Sequence, residues 1–279
     1  MKINNFLLAV IILGFSNFVK SQDFQGQAIY VSKAKMEFQK IESKSKEDDA
    51  LNKMMEEALK KASEATFILT FNKLESIFEK EQKLETPQIG NQESFVKIDI
   101  GNGGKKYKNL KEQKIITEGE IIDKQYLIVD ELQKFNWNLI NETKTIGSYL
   151  CNKAEVTLPV TQEQIDDYQE ELKSVAKRTT NFYTPKEPKP EVITAWYTIE
   201  IPLSIGPDIY WGLPGLILEL KDSGNIFLCS KITLNPKNKI EIKSPKKGKK
   251  VSQKEFNSIE KKSYDKINED DSSPFDSKK

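Results

Sequence analysis

Histidine is absent from the 279-residue chain, and arginine occurs once, at Arg178. Without histidine, the chain cannot build a serine–histidine–aspartate triad or a histidine-ligated metal site. A single arginine leaves little means of holding a phosphate or carboxylate through two parallel hydrogen bonds. Two cysteines are too few for a four-cysteine zinc site or a disulfide-rich miniprotein. We therefore expect no catalytic residue identifiable by motif, no metal and no cofactor.

A strong charge of one sign is also missing. The 43 Lys and Arg residues nearly balance the 42 Asp and Glu residues, which leaves a formal net charge of +1. Proteins that bind nucleic acid without sequence preference rely on a strongly positive field, so nucleic acid is not an expected partner. The length is enough for one large domain or two small ones, with a sizeable core.

The first 21 residues have the pattern of a secretory signal peptide. Lys2 gives a positive start, residues 6–13 are apolar, and Val19 and Ser21 place small side chains before a cleavage point at Gln22. The apolar run is shorter than the roughly 20 residues of a membrane-spanning helix, although an uncleaved anchor remains the alternative. No cysteine follows the run to be acylated, so a lipoprotein is not expected. We expect an exported protein, periplasmic or secreted, with no transmembrane anchor after signal removal.

Two segments have helical periodicity. Residues 45–65 place apolar side chains on one continuous face, at spacings of three and four. Residues 162–178 do the same, and Thr161 with Gln164 has the spacing of a capping box. A weaker helix is expected after Ser252.

Most of the remaining chain has the alternation of strands. One example is Ile193, Ala195 and Tyr197, which are separated by more polar residues. Strands before, between and after separate helices predict an α+β fold, with a large curved antiparallel sheet, bowl-like or half-barrel-like, and two or three helices. We expect a single domain over residues 22–240, and a basic, partly disordered C-terminal tail over residues 241–279.

The segment 201–220 is the most distinctive part of the sequence and reads IPLSIGPDIYWGLPGLILEL. The four residues that begin at Leu213 have the composition of a type II turn, in which Pro214 presets φ and Gly215 accepts a positive φ. Gly212 would let another backbone or a ligand approach closely. The apolar residues that follow predict a strand buried on both faces.

This segment resembles the GLPGLI family of exported bacterial proteins, which is named after the hexapeptide at residues 212–217. Residues 195–202, 147–154 and 67–72 also look like the core of that family. The resemblance implies a cell-envelope protein whose activity is not established, and it supplies no catalytic residue. A weaker similarity is to the bowl-like N-terminal domain found beside some bacterial peptide-N-glycosidases. That similarity fits a curved sheet and transfers no glycosidase site.

Two aromatic residues beside the hexapeptide favour a binding function. They would form a lip for an apolar ligand, a glycan, or a peptide or protein of the envelope. The residues of this lip are Tyr210, Trp211, Gly212, Leu213, Pro214 and Gly215. A turn and the start of a strand explain the same residues without a ligand. The second functional hypothesis is a histidine-free hydrolase of an envelope or extracellular polymer, which would use carboxylates such as Glu118 and Glu120.

The two cysteines, Cys151 and Cys229, are predicted to form a disulfide. Export would deliver them to a compartment where the bond persists, and both lie on the more polar face of a predicted strand. Their side chains would meet if the two strands were neighbours in the sheet. Two separate reduced thiols are the alternative.

Overall fold

A computed structural model describes residues 24–35, 63–82, 104–176 and 185–271, together with positions 52–54, 56, 57 and 60. The predicted signal peptide and cleavage point, most of the predicted helix over 45–65, and residues 272–279 of the predicted tail lie outside these residues. The described positions from 52 to 63 are helical, and Glu64 already begins a strand. This helix therefore ends before its predicted limit at Ala65.

The described strands form one large open sheet that does not close into a barrel. In chain order they are β1 (Gln25–Ala34), β2 (Glu64–Asn72), β3 (Glu75–Lys80), β4 (Lys106–Asn109), β5 (Lys114–Ile121), β6 (Lys124–Glu131), β7 (Asn138–Ile146), β8 (Tyr149–Leu158), β9 (Glu191–Thr198), β10 (Leu216–Lys221), β11 (Asn225–Leu234) and β12 (Lys249–Val251). Their order across the sheet is β12-β6-β5-β4-β3-β2-β1-β11-β10-β9-β8-β7. Neighbours run antiparallel except β12, which lies parallel to β6. The predicted α+β fold with a large antiparallel sheet is confirmed.

Burial along the strands follows the period of two that a pleated strand imposes. In β1, Ala28 and Tyr30 are completely buried, whereas Ile29 between them is partly exposed. Buried residues of β1, β2, β3, β8, β9, β10 and β11 contribute to the main core.

The long connection between β9 and β10 lies against the apolar face of the sheet. Its side chains Ile201, Leu203, Ile205 and Leu213 are buried in the main core. The same connection reaches Lys108 in β4, although β11, β1, β2 and β3 separate β4 from β10 in the sheet order. The sheet therefore curves around this connection, which fills its interior.

Two further helices, beside the one that ends before Glu64, lie outside the sheet. Helix α1 (Gln162–Ala176) begins at the predicted capping box, in which Gln164 N donates to Thr161 Oγ1 at 3.2 Å and Thr161 N donates to Gln164 Oε1 at 2.8 Å. Helix α2 (Gln253–Asp271) follows Ser252, as expected, and begins with a second capping box between Ser252 and Glu255.

Helix α2 and β12 bring part of the predicted basic tail onto the sheet. The ring of Phe256 packs edge-on against Tyr126 of β6, with a centroid distance of 5.6 Å. Together with Ile121, Ile128 and Val251 they form a second, smaller core.

Candidate functional site

The two glycines of the hexapeptide have roles that are the reverse of those expected. Gly212 has a φ of +99°, whereas Gly215 has no positive φ. A Cβ on Gly215 would lie 2.0 Å from the carbonyl oxygen of Thr198. The amide of Leu216 donates to Ile201 O at 3.0 Å. The predicted type II turn with Gly215 at positive φ is therefore wrong: Gly212 provides the positive φ, and Gly215 permits the close approach.

The end of the hexapeptide enters the core as predicted. Leu216, Ile217 and Leu218 are all buried. Both backbone polar groups of Ile217 are hydrogen-bonded. Its amide donates to Ile205 O at 3.1 Å, and its carbonyl accepts from Tyr30 Oη at 2.6 Å.

A buried lysine fixes the backbone that precedes the hexapeptide. Lys108 in β4 is completely buried. Its Nζ donates to three carbonyl oxygens: Gly206 O at 2.7 Å, Asp208 O at 2.7 Å and Tyr210 O at 3.1 Å. A protonated lysine has three N–H donors, so this geometry uses all of them.

The charges around Lys108 act in opposite directions. Burial lowers the pKa of Lys108 to about 7, the carboxylate of Asp208 opposes this lowering, and the positive charge of Lys106 adds to it. Asp208 has a φ of +49° and forms an ion pair with Lys106. Two lysines of β4 thus hold one residue of the connection, by its carbonyl and by its carboxylate.

Tyr210 is anchored at its other end by Asp222, which the sequence analysis did not single out. Tyr210 Oη donates to Asp222 Oδ2 at 3.2 Å. Asp222 Oδ1 accepts the amides of Gly224 at 2.9 Å and Asn225 at 2.5 Å, which closes the turn between β10 and β11. Burial raises the pKa of Asp222, and it raises that of Tyr210 with a further contribution from Asp222.

Aromatic side chains join the lip to the segment before β7. Trp211 Nε1 donates to Gln133 O at 2.7 Å, and Trp137 Nε1 donates to Trp211 O at 2.8 Å. The ring of Phe135 lies 5.7 Å from that of Trp137 and 5.2 Å from that of Tyr210. No motif in the sequence connects these two segments.

The lip residues divide into a packed base and an open tip. Tyr210, Leu213 and Gly215 are buried, Trp211 is half-buried, and Gly212 and Pro214 are exposed. Cavities of about 440 and 210 Å³ open among the described residues, and residues 210–215 line neither of these.

The structure places Glu118 and Glu120, the carboxylates of the hydrolase hypothesis, within a strand. Both lie in β5, where Glu118 pairs with Leu127 and Glu120 with Gln125. Gly119 between them makes room for Phe256, because a Cβ there would lie 2.8 Å from the ring.

The structure does not contain the predicted disulfide, and both cysteines are free thiols. Cys151 lies in β8 and Cys229 in β11, and β9 and β10 separate these strands. The condition for the bond, that the two strands be neighbours, is therefore not met. The expected polar surroundings are also wrong: Cys151 is completely buried in the main core, and Cys229 packs against that core. Burial raises the pKa of each thiol to about 11.

Within the part of the chain that the structure describes, no cluster of three or more Cys, Asp or Glu side chains has the arrangement of a metal site. No described helix has both the length and the apolar character needed to cross a membrane.

One family model matches the chain, over residues 137–219, and its description is "Protein of unknown function (Porph_ging)". The matched region runs from Trp137 through most of the hexapeptide strand, and it covers less than half of the chain. No curated protein matches the chain at a significant level.

Three solved structures are similar at low identity. Two are structures of PNGF-II, with TM-scores of 0.47 and 0.45, identities of 12% and 14%, and coverage of 86% of this chain. This chain spans about one third of the PNGF-II chain, 33% and 34% in the two structures. The third is the lipoprotein LppX of Mycobacterium tuberculosis, with a TM-score of 0.24, 12% identity, and coverage of 83% of this chain and 94% of LppX.

Proposed function

We propose that this protein is an exported, non-catalytic binding or accessory protein of the cell envelope. Its lip, residues 210–215, holds an apolar ligand, a glycan or a peptide of a partner. The observation that carries the proposal is the division of the lip into a base that is fully bonded internally and a tip that is open.

The polar groups around the base are committed to internal contacts. The ammonium group of Lys108 donates to three carbonyls, Asp208 is paired with Lys106, and the hydroxyl of Tyr210 donates to Asp222. A general acid, base or nucleophile must come within hydrogen-bond reach of a substrate. These groups instead give the lip a fixed shape.

The tip offers what a binding surface needs. The indole of Trp211 is half-buried and directed by its bond to Gln133 O, and the backbone at Gly212 and the ring of Pro214 are exposed. An oriented aromatic ring beside an accessible backbone suits a sugar ring, an acyl chain or an extended peptide.

The location in the envelope rests on the N-terminal sequence. The charged start at Lys2, the apolar run over residues 6–13 and the small side chains before Gln22 have the order of a cleaved secretory signal.

Native mass spectrometry of the protein isolated from its own compartment tests the binding function. We expect a stoichiometric lipid, glycan or peptide adduct that is released when the protein is unfolded. A bare protein that hydrolyses an envelope polymer would overturn the proposal in favour of carboxylate catalysis. A bare protein without such activity would indicate a purely structural role.

A further inference from the structure

The larger cavity, of about 440 Å³, lies where several neighbouring strands end, and it shares no lining residue with the lip. Four separate parts of the chain line it: the start of β1, the turn between β2 and β3, the turn between β4 and β5, and the chain after β11. Its volume falls within the range of roughly 300–1,000 Å³ that small-molecule sites occupy.

The two turns that line this cavity have the same construction. Asn72 Oδ1 accepts the amides of Leu74 and Glu75, both at 2.8 Å. Asn109 Oδ1 accepts the amides of Lys111 at 3.0 Å and of Glu112 at 2.9 Å. The amide of residue 110 donates to Leu74 O at 2.8 Å, which joins one turn to the other. The backbones that carry Lys73 and Lys111 are therefore fixed side by side.

The charges that line the cavity, three lysines (Lys73, Lys111 and Lys239) and one carboxylate, favour an anion. Lys73 and Lys111 are exposed, and among the described residues neither ammonium group has a carboxylate within ion-pair distance. Glu75 is the carboxylate of the lining, and its oxygens accept from Tyr107 Oη and from Asn72 Nδ2, the latter at 3.2 Å. Both of its oxygens are thus engaged by the protein, whereas the two lysines are available to a ligand.

The same wall is partly apolar. Leu74 follows Lys73 in its turn and is 50% exposed, and Phe24 and Ile240 also line the cavity.

Burial and the hydrogen bond to Glu75 raise the pKa of Tyr107 to about 12, so its hydroxyl keeps its proton and donates to Glu75 at neutral pH.

We propose that this cavity is a second binding site, which takes an amphipathic organic anion. Lys73 and Lys111 hold the acidic head, and the apolar part covers Leu74. Lysine acts as a point charge, so the same pair accepts a carboxylate or a phosphate head. This site does not depend on the function of the lip.

The experiment is calorimetric titration of the full chain with octanoate and octyl phosphate, with octanol, acetate and inorganic phosphate for comparison. We expect at least one octyl anion to bind, and binding to weaken as salt concentration rises, because salt screens exposed charges. Tighter binding of octanoate assigns a carboxylate ligand, and tighter binding of octyl phosphate assigns a phosphorylated one.

Variants separate the site from general surface charge. Lys73→Ala with Lys111→Ala should weaken binding by about tenfold or more. The charge-matched control Lys124→Ala with Lys254→Ala, on exposed residues that do not line the cavity, should leave binding unchanged. Leu74→Gln should weaken the binding of octanoate and octyl phosphate, and it should leave any binding of the bare heads, acetate and inorganic phosphate, unaffected. The urea midpoint of each variant shows that it is folded.

Four results would overturn the proposal. The first is that neither octyl anion binds. The second and third are that octanol, or acetate and inorganic phosphate, bind as tightly as the octyl anions. The fourth is that the two double variants lose the same amount of binding affinity.

Discussion

At the scale of single residues, the absence of a side chain at Gly215 decides how closely two strands approach. A Cβ at this position would lie 2.0 Å from Thr198 O and 2.6 Å from the carbonyl carbon. We expect Gly215→Ala to lower the free energy of unfolding by about 1–3 kcal/mol, because the backbone must move apart. Gly224→Ala is the control, since its Cβ would meet only Asp222 Oδ1, at 3.8 Å, and we expect a change within about 0.5 kcal/mol. Urea unfolding measures both, and equal midpoints would show that the close approach is unimportant.

Lys108 is the residue that secures the base of the lip. In Lys108→Met the three carbonyls of the connection lose their common donor, so we expect a loss of about 2 kcal/mol in unfolding free energy at neutral pH. Lys111→Met, at an exposed position, is the matched control and should change little. A similar effect of the two substitutions would contradict the role given to Lys108.

The contribution of Lys108 should depend on pH. Its pKa is about 7 in the folded protein, against 10.5 for an ordinary lysine. Between these values the unfolded chain binds more protons than the folded protein, so the unfolding free energy rises with pH. The difference in unfolding free energy between wild type and Lys108→Met should therefore be larger at about pH 9 than at about pH 6.5. The three carbonyls act against this trend, because only the protonated form can donate to all of them. A difference that is constant or falls would therefore contradict the lowered pKa.

The sequence identifies the residues near the hexapeptide as distinctive, but it does not predict the structural role of each one. Gly212 and Gly215 stand out in the pattern, yet a positive φ and a close approach both require glycine. Only the position of Thr198 distinguishes the two. Lys108 looks like any other lysine of the chain, because its burial results from a connection 100 residues later. Asp222 is hidden in the same way, since its partner Tyr210 comes from a different element.

At the scale of elements, local periodicity predicts the helix that follows Thr161 and the burial of β10. Local periodicity does not predict features that depend on contacts between residues far apart in the sequence. Gly119 lies within β5 and makes room for Phe256, which belongs to α2. The order of strands is also not a local property: Cys151 and Cys229 lie on strands that two others separate, which local patterns do not reveal.

Helix α2 is held to the sheet chiefly by Phe256, which is 3% exposed and packs on Tyr126. Replacing a buried phenylalanine by alanine removes about 3–5 kcal/mol of packing. We expect Phe256→Ala to increase hydrogen exchange in α2 while exchange in β1 and β11 stays slow, because the small core is separate from the main one. Lys254→Ala, on the same helix and exposed, is the control. Unchanged exchange in α2, or equal loss of protection in β1, would contradict this division.

At the scale of the whole molecule, the curved sheet and the connection between β9 and β10 share one hydrophobic core. The sequence predicts the sheet and its curvature, and the structure adds that apolar side chains of the connection between β9 and β10 fill the interior. The proposed binding is therefore expected at the exposed tip of the lip, outside this filled interior.

Export is a property of the whole chain that remains a prediction. Because the N-terminal residues have the order of a cleaved signal, we expect the mature protein from its own cells to begin at Gln22. N-terminal sequencing measures this. Retention of Met1 on membrane-bound protein would contradict cleavage.

The central claim is that the lip has a structural base and a binding tip, and the Trp211→Ala variant tests it most directly. Its half-buried indole gives one hydrogen bond, to Gln133 O, and part of its ring is packed, so its removal should lower the unfolding free energy by about 2–3 kcal/mol without unfolding the protein. In native mass spectrometry of the protein from its own compartment, we expect Trp211→Ala to lose the adduct of the wild type and Trp211→Phe to retain it. An adduct that persists in Trp211→Ala, whether or not that variant loses stability, would show that Trp211 only packs.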